Sequence, residues 1–233
     1  MRKVLIISLL GNVFALLVVL FLTNKLGGIS NIIFKLKHKH AIAKMEQRNS
    51  QFENSETAEG SIIFLGDSIT EQGEWSELFP ALRVLNRGIS GDGINGVKNR
   101  LDEIKRHQPS KIFLMIGVND LCYHSPTEVI QYYKKLLDIM VAEFGSNRIF
   151  VQSILPVNNE IYQTGTDNTQ IDKVNAALVD FCNAKQINYL LIATHLKDKN
   201  NQLDKVYTAD GIHINGFAYK IWSKSIKHWL SSE

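Results

Sequence analysis

The sequence predicts an α/β fold: a three-layer α/β/α sandwich around a five-stranded parallel sheet, preceded by an N-terminal transmembrane helix. Three observations predict it. Five short, almost continuously apolar runs recur after residue 60, and such runs suit parallel strands covered on both faces. The stretches between them carry apolar residues at three- and four-residue spacing, the period of amphipathic helices packed on such a sheet. Ahead of both, Val4 to Leu22 is 19 residues long and holds no charge.

That leading segment has only Ser8 and Asn12 as polar side chains, whereas a buried core helix of its length would show a polar face. About 20 residues at roughly 1.5 Å each cross a hydrocarbon core of ~30 Å. A membrane span or uncleaved signal anchor is therefore expected over residues 1–23. A cleaved signal peptide would usually have a shorter apolar core, and no small-x-small cleavage site follows Leu22. Arg2 and Lys3 favour a cytoplasmic amino terminus, while Lys25 and the later lysines pull the other way. A long uncharged core directly behind a short basic start resembles a signal anchor, so the remaining chain is expected on the extracytoplasmic side.

Residues 24–58 read as a juxtamembrane linker, basic and then rich in Glu, Asn and Gln, with 41–58 a linker or exposed helix. The first 48 residues hold eight Lys/Arg against Glu46 alone; with a whole-chain charge of +3, residues 49–233 are left at −4. The basic character is thus a property of the anchor region, and a mildly acidic folded part argues against a nucleic-acid partner. KLKHKH at 35–40 reads as a solvated basic flank near lipid phosphates rather than a metal site.

The folded domain is expected over 59–233. Its strands read, in order, SIIFLG (61–66), RVLNRG (83–88), KIFLMIG (111–117), RIFVQSIL (148–155) and INYLLIA (187–193). Helices are expected over 94–107 (Val97, Leu101, Ile104), 129–144 (Val129, Tyr133, Leu136, Leu137, Met140, Phe144) and 170–184 (Ile171, Val174, Leu178, Phe181, Cys182). A final helix carries Phe217, Ile221, Trp222, Ile226 and Trp229. These stripes are expected to be core. Two cysteines, Cys122 and Cys182, supply neither a disulfide framework nor a metal spacing.

Ligands of open parallel sheets bind at the carboxyl ends of the strands. Three strands end there in polar turns: Gly66-Asp67-Ser68, Asn86-Arg87-Gly88-Ile89-Ser90-Gly91-Asp92 and Gly117-Val118-Asn119-Asp120. A serine hydroxyl is a poor nucleophile unless a base lies within hydrogen-bond reach and a third group orients that base. Asp210-Gly211-Ile212-His213, just ahead of the last helix, can place a carboxylate against an imidazole within one tight turn. Acyl transfer also needs donors for the developing oxyanion: the Ser68 and Gly91 backbone N–H groups and the Asn119 side-chain amide are the candidates. An asparagine at such a place can instead serve only its own turn.

These four ordered blocks resemble those of the SGNH hydrolases, or GDSL-type esterases and lipases. The likeness covers about residues 60–232. Gly66-Asp67-Ser68-Ile69-Thr70 resembles the nucleophile block, NRGISGDG (86–93) the glycine block, Gly117-Val118-Asn119-Asp120 the asparagine block and Asp210-Gly211-Ile212-His213 the closing block. NRGISGDG before a helix, with QSILP at 152–156, is particularly similar to the platelet-activating-factor acetylhydrolase-like branch. The resemblance implies a flavodoxin-like SGNH fold and a catalytic Ser68, His213 and Asp210. It also implies an oxyanion hole of Ser68, Gly91 (rather than Gly88) and Asn119, with no metal and no cofactor. The expected reaction is hydrolysis of short-chain, mainly acetyl, esters of a sugar or lipid. Transfer of the acyl group to a glycan, or a non-catalytic anchored binding module, are the alternatives. Tyr123, Tyr162 and Trp75 are candidates to line the pocket, and each can equally be packing.

Overall fold

The computed structural model describes residues 12, 13, 21, 39–161 and 165–231. The expected membrane span lies outside these residues except at Asn12, Val13 and Phe21; among the described residues no helix is long and apolar enough to cross a membrane. The chain divides into two compact units, 1–46 and 47–233.

The second unit is built on five parallel strands, β1 (Ile62–Gly66), β2 (Val84–Gly88), β3 (Lys111–Met115), β4 (Ile149–Gln152) and β5 (Asn188–Leu190), in the order β2-β1-β3-β4-β5. All five lie where the apolar runs put them. β1, β3 and β4 are interior and almost wholly buried, which is why they read as continuous apolar runs; β2 and β5 are edges and only half-buried. Register aligns Phe64 with Phe113 and Phe113 with Phe150. Their rings form a stacked row across one face, 5.1 and 4.8 Å between centroids. Trp75 stacks on Phe64 at 3.9 Å, and Trp222 meets Trp75 edge-on at 4.8 Å.

The helices are α1 (Lys39–Glu53), α2 (Ser68–Glu71), α3 (Trp75–Leu78), α4 (Ile94–Asn99), α5 (Leu101–Arg106), α6 (Val118–Leu121), α7 (Pro126–Phe144), α8 (Asn168–Lys185) and α9 (Gly216–Ser231). Both long internal helices begin at capping boxes, Ser125 with Glu128 and Asp167 with Gln170, which satisfy amide groups that the first helical turn leaves open.

Three expectations change. The single helix expected over 94–107 is two, broken at Arg100 (φ −117, ψ 19), whose side chain turns into the protein to bind Asp92. Phe217 is not core: it is 72% exposed, and Ala218, Trp222 and Ile226 form the buried stripe of α9. Part of the expected linker is packed: Phe52 and Ala58 are buried, and the Arg87 guanidinium lies 4.6 Å over the Phe52 ring. The chain from Gln47 therefore belongs to the folded unit.

Candidate active site

β1 ends at Gly66, and the next residue, Asp67, caps α2: its Oδ1 accepts the Ile69 N–H at 3.0 Å. Ser68 is thereby the first residue of a short helix at the carboxyl end of a central strand. Two buried side chains hold that helix from the far side. The Tyr219 hydroxyl donates to the Ile69 carbonyl at 2.6 Å, and Trp75 Nε1 donates to the Thr70 carbonyl at 2.8 Å. Trp75 is 1% exposed, so it is a packing residue and not a pocket wall.

The base arrives from 145 residues away. His213 Nε2 lies 3.0 Å from Ser68 Oγ, and His213 Nδ1 lies 2.6 Å from Asp210 Oδ2. A carboxylate only accepts, so Nδ1 carries the ring proton and Nε2 presents its lone pair to the serine hydroxyl. The other carboxylate oxygen, Oδ1, accepts the N–H groups of Ile212 (3.0 Å) and His213 (2.8 Å). Partial burial works to raise the Asp210 carboxyl, but the His213 ring and these two N–H groups outweigh it and hold it below the usual carboxylate range. Asp210 thus stays ionised beside the imidazole. Thr208, which sequence reasoning missed, closes the turn by accepting the Gly211 N–H at 2.8 Å.

The glycine block forms a tight turn beside this pair. The Asp92 N–H returns to the Ile89 carbonyl at 3.1 Å, and Gly91 sits at φ +81 in the third position. That is the conformation of a type II turn, which favours glycine at this place. The Gly91 N–H has no hydrogen-bond partner among the described residues. Gly88 serves otherwise: a Cβ there would lie 2.1 Å from the Glu71 nitrogen, so its lack of a side chain lets β2 lie against α2.

Asn119 follows β3, the other neighbour of β1. Its Nδ2 donates to the Asp92 carbonyl at 2.8 Å, in a different loop from its own. An amide nitrogen has two hydrogens, so one N–H remains for another acceptor. Asp120 also reaches across, accepting the Ile94 N–H at the start of α4 (3.1 Å). The asparagine and glycine blocks are therefore cross-linked by two adjacent residues.

Beneath them lies a buried charged group that the sequence reading passed over. Arg100 donates through Nε and Nη2 to Asp92 Oδ2 (3.0 and 2.9 Å), through Nη1 to the Arg87 carbonyl (2.8 Å) and through Nη2 to the Gly66 carbonyl (3.1 Å). One guanidinium ties the ends of β1 and β2 to the glycine turn. Burial pushes the Asp92 carboxyl up, and Arg100 pulls it back only in part. Among the described residues Asp67 has no such partner; burial pushes it up to about 7, with Asp92 and Asp120 adding to the effect against the pull of the Ile69 N–H.

Of the remaining candidates, Tyr123 is 67% exposed and Tyr162 lies outside the described residues. Burial pushes the Cys182 thiol up to about 12, which makes it unreactive at neutral pH. Among the described residues no cluster of His, Cys, Asp and Glu could hold a metal ion. A cavity of about 540 Å³ opens at the opposite end of the sheet, between Gly60, Lys111, Arg148 and Trp229, far from Ser68 in the strand register.

Comparison with known proteins points to a family. The chain is 30% identical over 132 residues to human platelet-activating factor acetylhydrolase IB subunit alpha1, a match covering 54% of this chain and 57% of the human one. The chain thus matches little more than half the length of that relative. Among solved structures, a Streptococcus pneumonia protein described as a platelet activating factor superposes with a TM-score of 0.74 at 29% identity. It covers 85% of this chain and 98% of its own. A GDSL-like lipase from Bacteroides thetaiotaomicron shares the fold, with a TM-score of 0.68 at 20% identity over 81% of this chain and 97% of its own. The family model of the GDSL-like lipases and acylhydrolases matches residues 64–221, from the strand before Ser68 to the helix after His213. By that match, which takes in all four sequence blocks, the chain belongs to the GDSL-like lipase/acylhydrolase family.

Proposed function

We propose that this protein is a serine esterase that hydrolyses short-chain acyl esters, acetyl esters first among them, of a carbohydrate or lipid. The observation that carries this reading is the chain of contacts from Asp210 Oδ2 through His213 to Ser68 Oγ, at 2.6 and 3.0 Å. Membership of an acylhydrolase family and the acetylhydrolase activity named for the human relative support it.

In this reaction Ser68 Oγ attacks the ester carbonyl carbon while its proton passes to His213 Nε2. The carbonyl π electrons move onto oxygen, which accepts hydrogen bonds from the Ser68 and Gly91 N–H groups and the second Asn119 amide N–H. Collapse of this adduct breaks the bond to the alkoxy group, which leaves with the proton from His213. Water then repeats the sequence on the acyl-enzyme, with His213 again as base. Asp210 keeps its charge throughout and stabilises the imidazolium.

We place residues 4–22 in the membrane as a single anchor, with the catalytic unit on the extracytoplasmic side. The uncharged 19-residue run and its basic flanks support this. Extraction of membranes with carbonate tests it: the full-length protein is expected to stay with the bilayer, and release into the supernatant would refute the anchor.

A panel of chromogenic esters of increasing acyl length, with acetylated sugars alongside, tests the activity. Acetyl esters are expected to turn over fastest, EDTA to leave the rate unchanged, and Ser68→Ala to lose both turnover and labelling by a fluorophosphonate. Asn119→Ala is expected to lower kcat by about 10²–10³-fold with KM little changed, because its bond to the substrate oxygen strengthens only as charge develops. A folded Asn119→Ala enzyme with full kcat would remove it from the oxyanion site.

A further inference from the structure

We propose that Glu71 is a positioning residue for the oxyanion site, the link that holds the Gly91 turn at a set distance from the Ser68 nucleophile. The proposal rests on the esterase reading above. It comes from a group of contacts that the proposed mechanism leaves unused.

Glu71 is the last residue of α2, three positions after Ser68, so its backbone moves with the nucleophile. Its side chain reaches out to the glycine turn. Oε2 accepts the Ser90 N–H at 2.6 Å and also the Ser90 hydroxyl. Ser90 is the residue directly before Gly91. The Glu71 backbone is fastened to the same segment: its carbonyl accepts from Asn86 Nδ2 at 2.9 Å, and Gly88 lies against its nitrogen. The carbonyl and one carboxylate oxygen of Glu71 are thus both bonded to the stretch 86–90, while its N–H serves its own helix by donating to the Asp67 carbonyl at 2.9 Å.

The chemistry gives this a purpose. The nucleophile and the Gly91 donor act on two atoms of one carbonyl group, so an error in their separation misplaces one of them. Productive geometry tolerates about 0.5 Å. The turn itself is exposed at Ser90 and Gly91 and has one internal hydrogen bond, from Asp92 to Ile89. Asn119 and Arg100 hold it only from its far side, through Asp92. On the near side the Ile89 N–H ties the start of the turn to the Gly66 carbonyl at 3.1 Å, and Glu71 supplies the side-chain contact at Ser90, next to Gly91.

Glu71 is itself restrained. Its Oε1 lies 3.5 Å from Arg48 Nε in α1, and the two side chains are 27% and 31% exposed. Arg48 is braced in turn, its guanidinium 4.7 Å over the Phe52 ring. An exposed carboxylate with no such neighbour would exchange its Ser90 partners for water; the half-buried pair with Arg48 keeps it aimed. The segment ahead of the strands therefore touches the oxyanion site through one side chain.

The test compares full-length wild type with Glu71→Ala and Glu71→Gln. Three quantities are measured on each protein: kcat and KM on a chromogenic acetyl ester, melting temperature, and hydrogen exchange of the Ser90 amide. Glu71→Ala is expected to lower kcat by about 10–100-fold, the scale of a misplaced catalytic group, with KM within about twofold. Ser90 exchange should speed up in the same variant. Glu71→Gln keeps an acceptor oxygen for the Ser90 N–H and should recover most of kcat and of the protection. Full kcat and unchanged Ser90 exchange in Glu71→Ala would overturn the proposal. So would a Glu71→Gln enzyme as slow as Glu71→Ala with a matching fall in melting temperature, because Glu71 would then serve stability alone. If wild type hydrolyses no ester, the esterase reading fails first, and Ser90 exchange still decides whether Glu71 holds the turn.

Discussion

Two contacts between a carboxylate and a basic side chain flank the Ser68 loop, and they are built in opposite ways. The Asp210–His213 pair lies at the surface, with side chains 49% and 32% exposed. The Asp92–Arg100 pair lies beneath the glycine turn, at 3% and 5%. In the proposed mechanism the exposed pair changes charge in each catalytic cycle, and water close by lowers the cost of the imidazolium. The buried pair never changes. It costs desolvation, and the guanidinium offsets this by filling its donors with one carboxylate and two strand-end carbonyls. In the proposed mechanism one contact serves the chemistry, while the other holds the ends of β1 and β2 and the glycine turn together.

The comparison predicts that damage to the two pairs is read by different instruments. The largest effect should come from the exposed side. His213→Ala removes the base, and kcat is expected to fall by about 10⁴-fold or more, roughly 5.5 kcal/mol in the barrier. Stability should barely move, because the ring is only partly buried. A His213→Ala protein that unfolds on mild heating, or one that retains a tenth of the wild-type rate, would break the distinction.

The buried side should show the reverse. Arg100→Met replaces the guanidinium by an apolar chain and leaves Asp92 buried without its partner. A loss of about 3–5 kcal/mol of folding stability is expected in urea titration. Activity per folded molecule should fall as well, since the ends of β1 and β2 and the Gly91 turn lose their common tie. If Arg100→Met unfolds at the same urea concentration as wild type, the pair is not what holds the loops.

The same contrast explains what could be read from the sequence. The meeting of Ser68, His213 and Asp210 was legible because a hydroxyl, an imidazole and a carboxylate form a recognisable set of residue types, and Asp-Gly-Ile-His folds back on itself within four residues. The strands were legible from their apolar runs. Arg100 was not: a basic residue inside an amphipathic stretch reads as a solvated face, and only the tertiary fold turns it inward and breaks the helix there. Glu71 failed for the same reason, since its partner Ser90 is 19 residues away and belongs to another strand end. Phe52 was read as part of a polar linker because one aromatic residue among Asn, Gln and Glu gives no period. Its burial depends on Arg87, which no local pattern could supply.

The smallest effect concerns Asp67, which shares the buried layer with Asp92 but has no cation beside it among the described residues. Its folded-state value is raised to about 7 from an ordinary 3.8. Between these two values the folded protein holds a proton on Asp67 that the unfolded chain has released. With more protons bound in the folded state, stability must fall as pH rises through this window. This group alone should lower stability by roughly 2 kcal/mol between pH 5 and pH 7, and little more above that. The sign is opposite to that of a salt-bridged carboxylate such as Asp210, whose depressed value makes it stabilising above the acid range and lost as pH falls. Asp67→Asn removes the titration but keeps an oxygen to cap Ile69. Wild type minus variant, measured by urea unfolding at pH 5, 6, 7 and 8, should therefore decline with pH and flatten at the top. The variant would gain most, relative to wild type, at pH 8. A difference independent of pH would mean that Asp67 stays ionised in the folded protein. A cation would then have to reach the carboxylate layer beneath Ser68, and the contrast between the paired Asp92 and the unpaired Asp67 would be lost.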